Sequence, residues 1–151
     1  MRIIRFARAA VVVLALATVA AMVTAGPAVA RPLPTVVLVH GAFADATSWD
    51  GVAADLRVRG YPVVVPDNPL RGPSYDAAAV EKTLAGISGP VSWSGTPSWY
   101  LVSANDTVIP PAAQRFMAGR IGAHTSEVQA SHVALVSQPG VVADVIAAAA
   151  G

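Results

Sequence analysis

After residue 31 the chain alternates short strand-like runs with segments of helical periodicity, and this alternation constrains its fold more than any other feature. Residues 35–39 (TVVLV) form a run of mostly β-branched residues, which is typical of a strand covered on both faces. Further strands are predicted at residues 63–65, 98–102 and 125–129. Strands separated by helices build parallel βαβ units with right-handed crossovers. We therefore expect an α/β fold, a three-layer α/β sandwich with a reduced, mainly parallel sheet.

The helical segments carry apolar stripes and recognisable ends. In the first, the apolar stripe consists of Trp49, Val52, Ala53 and Leu56, and Gly60 is expected just beyond the helix end. Others are predicted near residues 77–87, 112–118 and 141–149. In the 112–118 helix, Phe116 and Met117 are expected to be the bulky packing residues. Aromatic side chains beside strands are also expected in the core, namely Trp93, Trp99 and Tyr100.

Residues 1–30 have the pattern of an export signal. Three arginines precede an apolar stretch at residues 9–23, and Ala28 and Ala30 supply the small side chains of a cleavage site before Arg31. The alternative is an uncleaved membrane anchor, but the apolar stretch is short and Ala-rich. We therefore expect residues 1–30 to be a signal peptide and residues 31–151 to form one domain. The mature protein is expected to be secreted or periplasmic, with no stable membrane anchor.

Charge and composition exclude several classes of function. Without residues 1–30 the chain keeps seven basic and nine acidic residues, a net charge of −2, and its Lys and Arg residues do not cluster. We therefore expect no nucleic-acid partner. The chain has no cysteine, which excludes disulfides, thiolate nucleophiles and Cys-ligated zinc. His124 has no partner at metal-ligand spacing and is expected at the surface, so neither a metal nor a cofactor is expected.

Six short motifs follow one another in a fixed order along the chain. They are LVHGA at 38–42, Ser48-Trp49, Pro66-Asp67, WYLV at 99–102, Asn105-Asp106 with Ile109-Pro110-Pro111, and Ser131-His132. In this order they resemble the small-esterase and hydroxynitrile-lyase-like branch of the α/β-hydrolases over nearly all of residues 31–151. The resemblance implies a small, ester-like substrate.

The same resemblance implies roles for three residues. The backbone N–H of Ala42 would be an oxyanion-hole donor, and Asp106 and His132 would be the catalytic acid and base. In such a site the imidazole takes the nucleophile's proton, and the carboxylate fixes its tautomer and stabilises the imidazolium. His40 is expected to shape its loop rather than transfer protons.

The sequence departs from the family at the nucleophile. A serine on a strand-to-helix elbow needs Gly-x-Ser-x-Gly, and this pentapeptide is absent. Ser88 has Gly86 two positions before it but Pro90 two positions after it, and Ser94 has Ser92 and Thr96 at those positions. The elbow, the lid and about two central strands are expected to be missing from an internally truncated domain. Either the two halves close into a four-stranded parallel sheet, with the strands of residues 64, 37, 101 and 128 in that order, or the chain is marginally stable. Exposed sheet edges would then permit oligomers.

Three functions remain open at this point. The first is a carboxylic-ester hydrolase that uses Asp106 and His132 with an unidentified nucleophile. The second is a non-catalytic secreted pseudoenzyme, or the product of an internal deletion. The third is a serine-independent enzyme in which His132 is a general base toward an acidic carbon or a hydroxyl.

Overall fold

The computed structural model describes residues 32–88 and 96–151. The strands are β1 (Val36–Val37), β2 (Val63–Val64), β3 (Trp99–Ser103) and β4 (His124–Val128). A 3-10 helix (Ala46–Trp49) precedes the α-helices, which are α1 (Asp50–Val58), α2 (Pro73–Ala85), α3 (Pro111–Arg120), α4 (Ala134–Ser137) and α5 (Pro139–Ala150). The predicted alternation of strands and helices is confirmed. The predicted signal segment and Trp93 lie outside the described residues.

The strands pair in parallel, as two separate two-stranded sheets. β1 pairs with β2 (Val36 opposite Val63), and β3 pairs with β4 from Trp99 opposite His124 to Ser103 opposite Val128. Both pairings are neighbours in the expected strand order, but the single four-stranded sheet is not formed between these strands. Among residues 32–88 and 96–151, no strand bridges the two pairs.

Two apolar clusters fill the interior, and α5 contacts both. The first contains Leu38, Val52, Ala53, Leu56 and Ala143, and the second contains Val128, Ala130 and Ala134. Val142 of α5 is half-buried and packs against each cluster. The connection between the β1–β2 half and the β3–β4 half is therefore made in part by one side chain of α5.

The stripe predicted for α1 is the one that the structure buries. Val52, Ala53 and Leu56 are fully buried. Gly60 follows the C-cap residue of α1 and has φ = +90°, a conformation that glycine adopts without the steric cost of a Cβ atom. The predicted helix end is confirmed.

The prediction for α3 is wrong about which face packs inward. Phe116 is 67% exposed and Met117 39%, whereas the buried residues of α3 are Gln114 and Ala118. Residues four apart lie on the same side of a helix, so burial of this pair turns Phe116 and Met117 outward. The ring of Phe116 instead lies beneath the guanidinium of Arg120, 6.0 Å from it. A buried glutamine is unusual. Gln114 is buried because its side-chain amide is hydrogen-bonded within the candidate site.

A membrane-spanning helix is not found in the described part of the chain, where none of the helices is long and apolar enough.

Candidate active site

Asp106 lies in the loop after β3, where the backbone fixes its carboxylate. Its Oδ1 accepts hydrogen bonds from the backbone N–H groups of Val108 (2.7 Å) and Ile109 (3.0 Å). This local closure is typical of aspartate in a turn. Only 6% of Asp106 is exposed. The loop thereby holds one carboxylate oxygen and directs the other, Oδ2, toward the loop that follows β4.

His132 lies in that second loop and meets the free carboxylate oxygen. Its Nδ1 is 2.9 Å from Asp106 Oδ2. β3 and β4 are parallel neighbours, so the loops at their carboxyl ends lie on the same side of the sheet. The carboxylate accepts the Nδ1 proton and thereby places the lone pair of the neutral ring on Nε2. The imidazole is partly exposed, and its Nε2 forms no hydrogen bond with residues 32–88 or 96–151.

The surroundings of Asp106 favour the ionised carboxylate. Burial alone would raise the pKa of Asp106, but hydrogen bonds from His132 and from the N–H groups of Ile109 and Val108 outweigh it. The net result is a pKa below the ordinary value of 3.8. A negative charge therefore lies beside Nδ1 of His132 at neutral pH.

Gln114 contacts the same carboxylate, and the sequence reading missed it. Its Nε2 donates to Asp106 Oδ2 (2.8 Å) and to the carbonyl of Ile109 (2.7 Å), while its Oε1 accepts from the N–H of Ser103 (3.0 Å). A signal was available, because a polar residue four positions before Ala118 lies on a helix face that packs inward. The prediction instead placed the bulky side chains of Phe116 and Met117 on the buried face, which is wrong.

An open cavity of about 340 Å³ adjoins the pair. Its lining is mostly apolar and aromatic, and consists of Trp49, Trp99, Tyr100, Leu101, Ser103, Asp106, Ile109, Gln114, His132, Ala134, Leu135 and Val142. Trp99 and Tyr100, expected in the core, are half-buried at its wall. His124 is exposed as expected, and its ring centroid lies 4.9 Å from that of Trp99.

The histidine at the first strand is held by its loop. His40 is 4% exposed; its Nε2 accepts a hydrogen bond from the N–H of Asn68 (3.1 Å), and its Nδ1 lies 3.2 Å from the carbonyl of Gly41. Both ring nitrogens are therefore engaged, in agreement with the expected structural role. Ala42, the proposed oxyanion donor, is exposed and is not one of the residues lining the cavity.

Of the three serines considered as nucleophiles, the structure describes Ser88 alone. Ser88 is exposed and lies outside the lining, and Ser92 and Ser94 lie outside the described residues. Ser103 at the end of β3 is the serine of the lining, and it is 5% exposed. Within residues 32–88 and 96–151, no serine hydroxyl is hydrogen-bonded to His132.

No group of three or more His, Cys, Asp or Glu residues with metal-binding geometry occurs in the part of the chain that the structure describes.

No protein-family model matches the chain, and the searches of curated proteins and of solved structures found no match either.

Proposed function

We propose that residues 31–151 form a reduced α/β-hydrolase domain, a three-layer sandwich without its central strands, and that this domain hydrolyses carboxylic esters. The parallel pairs β1–β2 and β3–β4, each with a helix between its strands along the chain, support the fold assignment. Asp106 follows β3 and His132 follows β4, which agrees with the order of acid and histidine in this family.

The observation that carries the proposal is the 2.9 Å hydrogen bond between His132 Nδ1 and Asp106 Oδ2. It leaves Nε2 as a proton acceptor on a ring that borders the cavity. General acid–base catalysis by a base oriented in this way typically increases the rate by about 10²- to 10⁴-fold.

The proposed reaction is attack of water on the ester carbonyl. His132 Nε2 removes a proton from water as the water oxygen bonds to the carbonyl carbon and the C=O electron pair moves onto the carbonyl oxygen. The tetrahedral intermediate re-forms C=O and breaks the C–O bond to the alcohol, which takes the proton from Nε2. Asp106 keeps its negative charge throughout. We propose water because no serine hydroxyl in the described ranges is hydrogen-bonded to His132.

The lining of the cavity favours compact, uncharged esters. About 340 Å³ is at the small end of the range for ligand pockets. Among the described lining residues there is no Lys or Arg, and residues 89–95 contain no charged side chain in their sequence. An anionic substrate would therefore face the Asp106 carboxylate without a compensating cation.

Hydrolysis of p-nitrophenyl acetate and butyrate tests the proposal. We expect turnover by the purified protein, and a rate lower by about 10²- to 10⁴-fold in His132→Ala. His124→Ala is the matched control, because an exposed imidazole can itself accelerate hydrolysis of an activated ester. Equal losses in the two variants, or none in His132→Ala, would contradict the proposal.

Substrate charge is tested with a matched pair of esters. We expect ethyl butyrate to be hydrolysed faster than monoethyl succinate, which has a similar acyl chain and a negative charge, when acid release is followed at constant pH. A preference for the succinate ester would refute the proposed substrate class.

A second candidate is a non-catalytic binding protein. One observation favours it: Ala42, which would donate to the oxyanion, does not line the cavity. The discriminating experiment uses a neutral phenyl ketone of similar size, which cannot be hydrolysed, and follows tryptophan fluorescence. Binding of the ketone combined with absence of ester turnover would favour this candidate over the hydrolase.

A further inference from the structure

The hydrogen bonds of Gln114 leave none of its amide atoms free. Both Nε2 hydrogens are directed to acceptors, Asp106 Oδ2 at 2.8 Å and the Ile109 carbonyl at 2.7 Å. Oε1 accepts from the Ser103 N–H at 3.0 Å. A reversed amide would place its oxygen against two acceptors and its NH₂ group against a donor, so the partners determine its orientation. With 4% exposure, this side chain has one satisfied arrangement.

This arrangement links two structural elements to the catalytic carboxylate. Gln114 lies in the first turn of α3, and its partner Ser103 is the last residue of β3. Asp106 Oδ2, to which Gln114 donates, is the same oxygen that faces His132 Nδ1. Gln114 thus adds a third direction of restraint to the two backbone N–H groups that hold Oδ1.

The chemical type of the donor matters for the charge of the pair. A lysine or arginine at this position would neutralise the carboxylate and weaken its effect on a protonated His132. A neutral amide restrains the oxygen and leaves its negative charge available to the imidazole. Glutamine therefore combines restraint with an undiminished charge, and a buried network in which each group is paired keeps one geometry.

We propose that Gln114 is a positioning residue for the Asp106–His132 pair, which it orients by hydrogen bonding to Asp106 Oδ2. The importance of this residue for catalysis rests on the proposed function, but its effect on His132 is measurable without activity. Through Asp106, Gln114 keeps the proton on Nδ1 and the lone pair on Nε2 of the neutral ring.

The test compares Gln114→Met and Gln114→Glu with Gln129→Met and Gln129→Glu. Methionine keeps the length of the side chain and removes its donors, whereas glutamate keeps an acceptor for Ser103 and places oxygen against Asp106. Gln129 is exposed and forms no hydrogen bond through its side chain to the described residues, so its variants make the same chemical change away from the site. Circular dichroism melts establish which variants are folded.

The primary readout is ¹⁵N NMR of the histidine rings. We expect the Nδ1–H tautomer of His132 to predominate in the wild-type protein and in the Gln129 variants. The Gln114 variants should show a mixture of tautomers and a kcat lower by about 10- to 100-fold, with KM little changed. Wild-type tautomer populations in a folded Gln114→Met protein would overturn the proposal.

Two further outcomes separate this proposal from the proposed function. A tautomer change in Gln114→Met with no ester turnover by the wild type supports positioning and refutes ester hydrolysis. Turnover that Gln114→Met leaves intact supports the hydrolase and refutes positioning. If neither Gln114 variant folds, exchange of the wild-type side-chain amide hydrogens decides: slow exchange at Gln114 relative to Gln129 supports the proposal, and equal rates refute it.

Discussion

Replacement of Asp106 by asparagine should inactivate the pair by moving one proton on His132. The backbone N–H groups of Val108 and Ile109 both donate to Oδ1, so the amide oxygen of the substituted asparagine must take that position. Its NH₂ group then occupies the position of Oδ2. There it faces the Nδ1 of His132 and the Nε2 of Gln114.

This geometry determines the sign and the size of the effect. An NH₂ group offers His132 a donor, so Nδ1 becomes an acceptor and the proton moves to Nε2, where it blocks general-base catalysis. The NH₂ group also opposes the Gln114 donor. Loss of the oriented base should lower kcat by about 10²- to 10⁴-fold, whereas KM should change little because the shape of the cavity is kept.

The assay combines hydrolysis of p-nitrophenyl butyrate with ¹⁵N NMR of His132. We expect the Nε2–H tautomer in Asp106→Asn together with the loss of kcat. Asp50→Asn, an exposed aspartate at the start of α1, is the control and should behave as wild type. An Asp106→Asn protein with the wild-type rate and the Nδ1–H tautomer would refute the reasoning.

Three other predictions concern stability and labelling. Folding lowers the pKa of Asp106, so the ionised carboxylate stabilises the folded protein above pH 3.8, and this stabilisation is lost as the pH falls through the lower pKa of the folded protein. The Tm difference between wild type and Asp106→Asn should therefore shrink as the pH falls from 3.8 through that pKa. A constant Tm difference would contradict this. Leu56→Ala, at a fully buried position, should lower the free energy of unfolding by about 2–5 kcal/mol in urea titrations, whereas a loss below about 1 kcal/mol would mean that the first cluster is not closely packed. A serine-directed fluorophosphonate should leave the purified protein unlabelled by mass spectrometry, and stoichiometric labelling at Ser88, Ser92 or Ser94 would show that a nucleophile exists.

The sequence alone was sufficient to predict the features that depend on local residue patterns and on the order of the elements. The strand-like runs between helical segments predicted the four strands, and the order of the elements predicted which strands are parallel neighbours. An aspartate just after β3 and a histidine just after β4 lie near each other once those strands pair, so the meeting of Asp106 and His132 follows from topology.

The remaining features depend on distances that a sequence pattern does not contain. Whether β1 joins β3 depends on what lies between them in space, and the apolar run at residues 35–39 looks the same in either arrangement. The role of Gln114 requires the first turn of α3 to pack against both the end of β3 and the loop after it. The spacing of Gln114 and Ala118 places both on one side of α3, but it does not specify those contacts.

The position of Val142 couples ligand binding to cohesion of the domain. This side chain packs against both apolar clusters and also forms part of the cavity wall. A molecule bound in the cavity therefore adds contacts at the place where the two halves are held together, and whatever loosens that place also weakens binding. Occupancy by a ligand should protect the protein against thermal unfolding by favouring the intact arrangement of both halves.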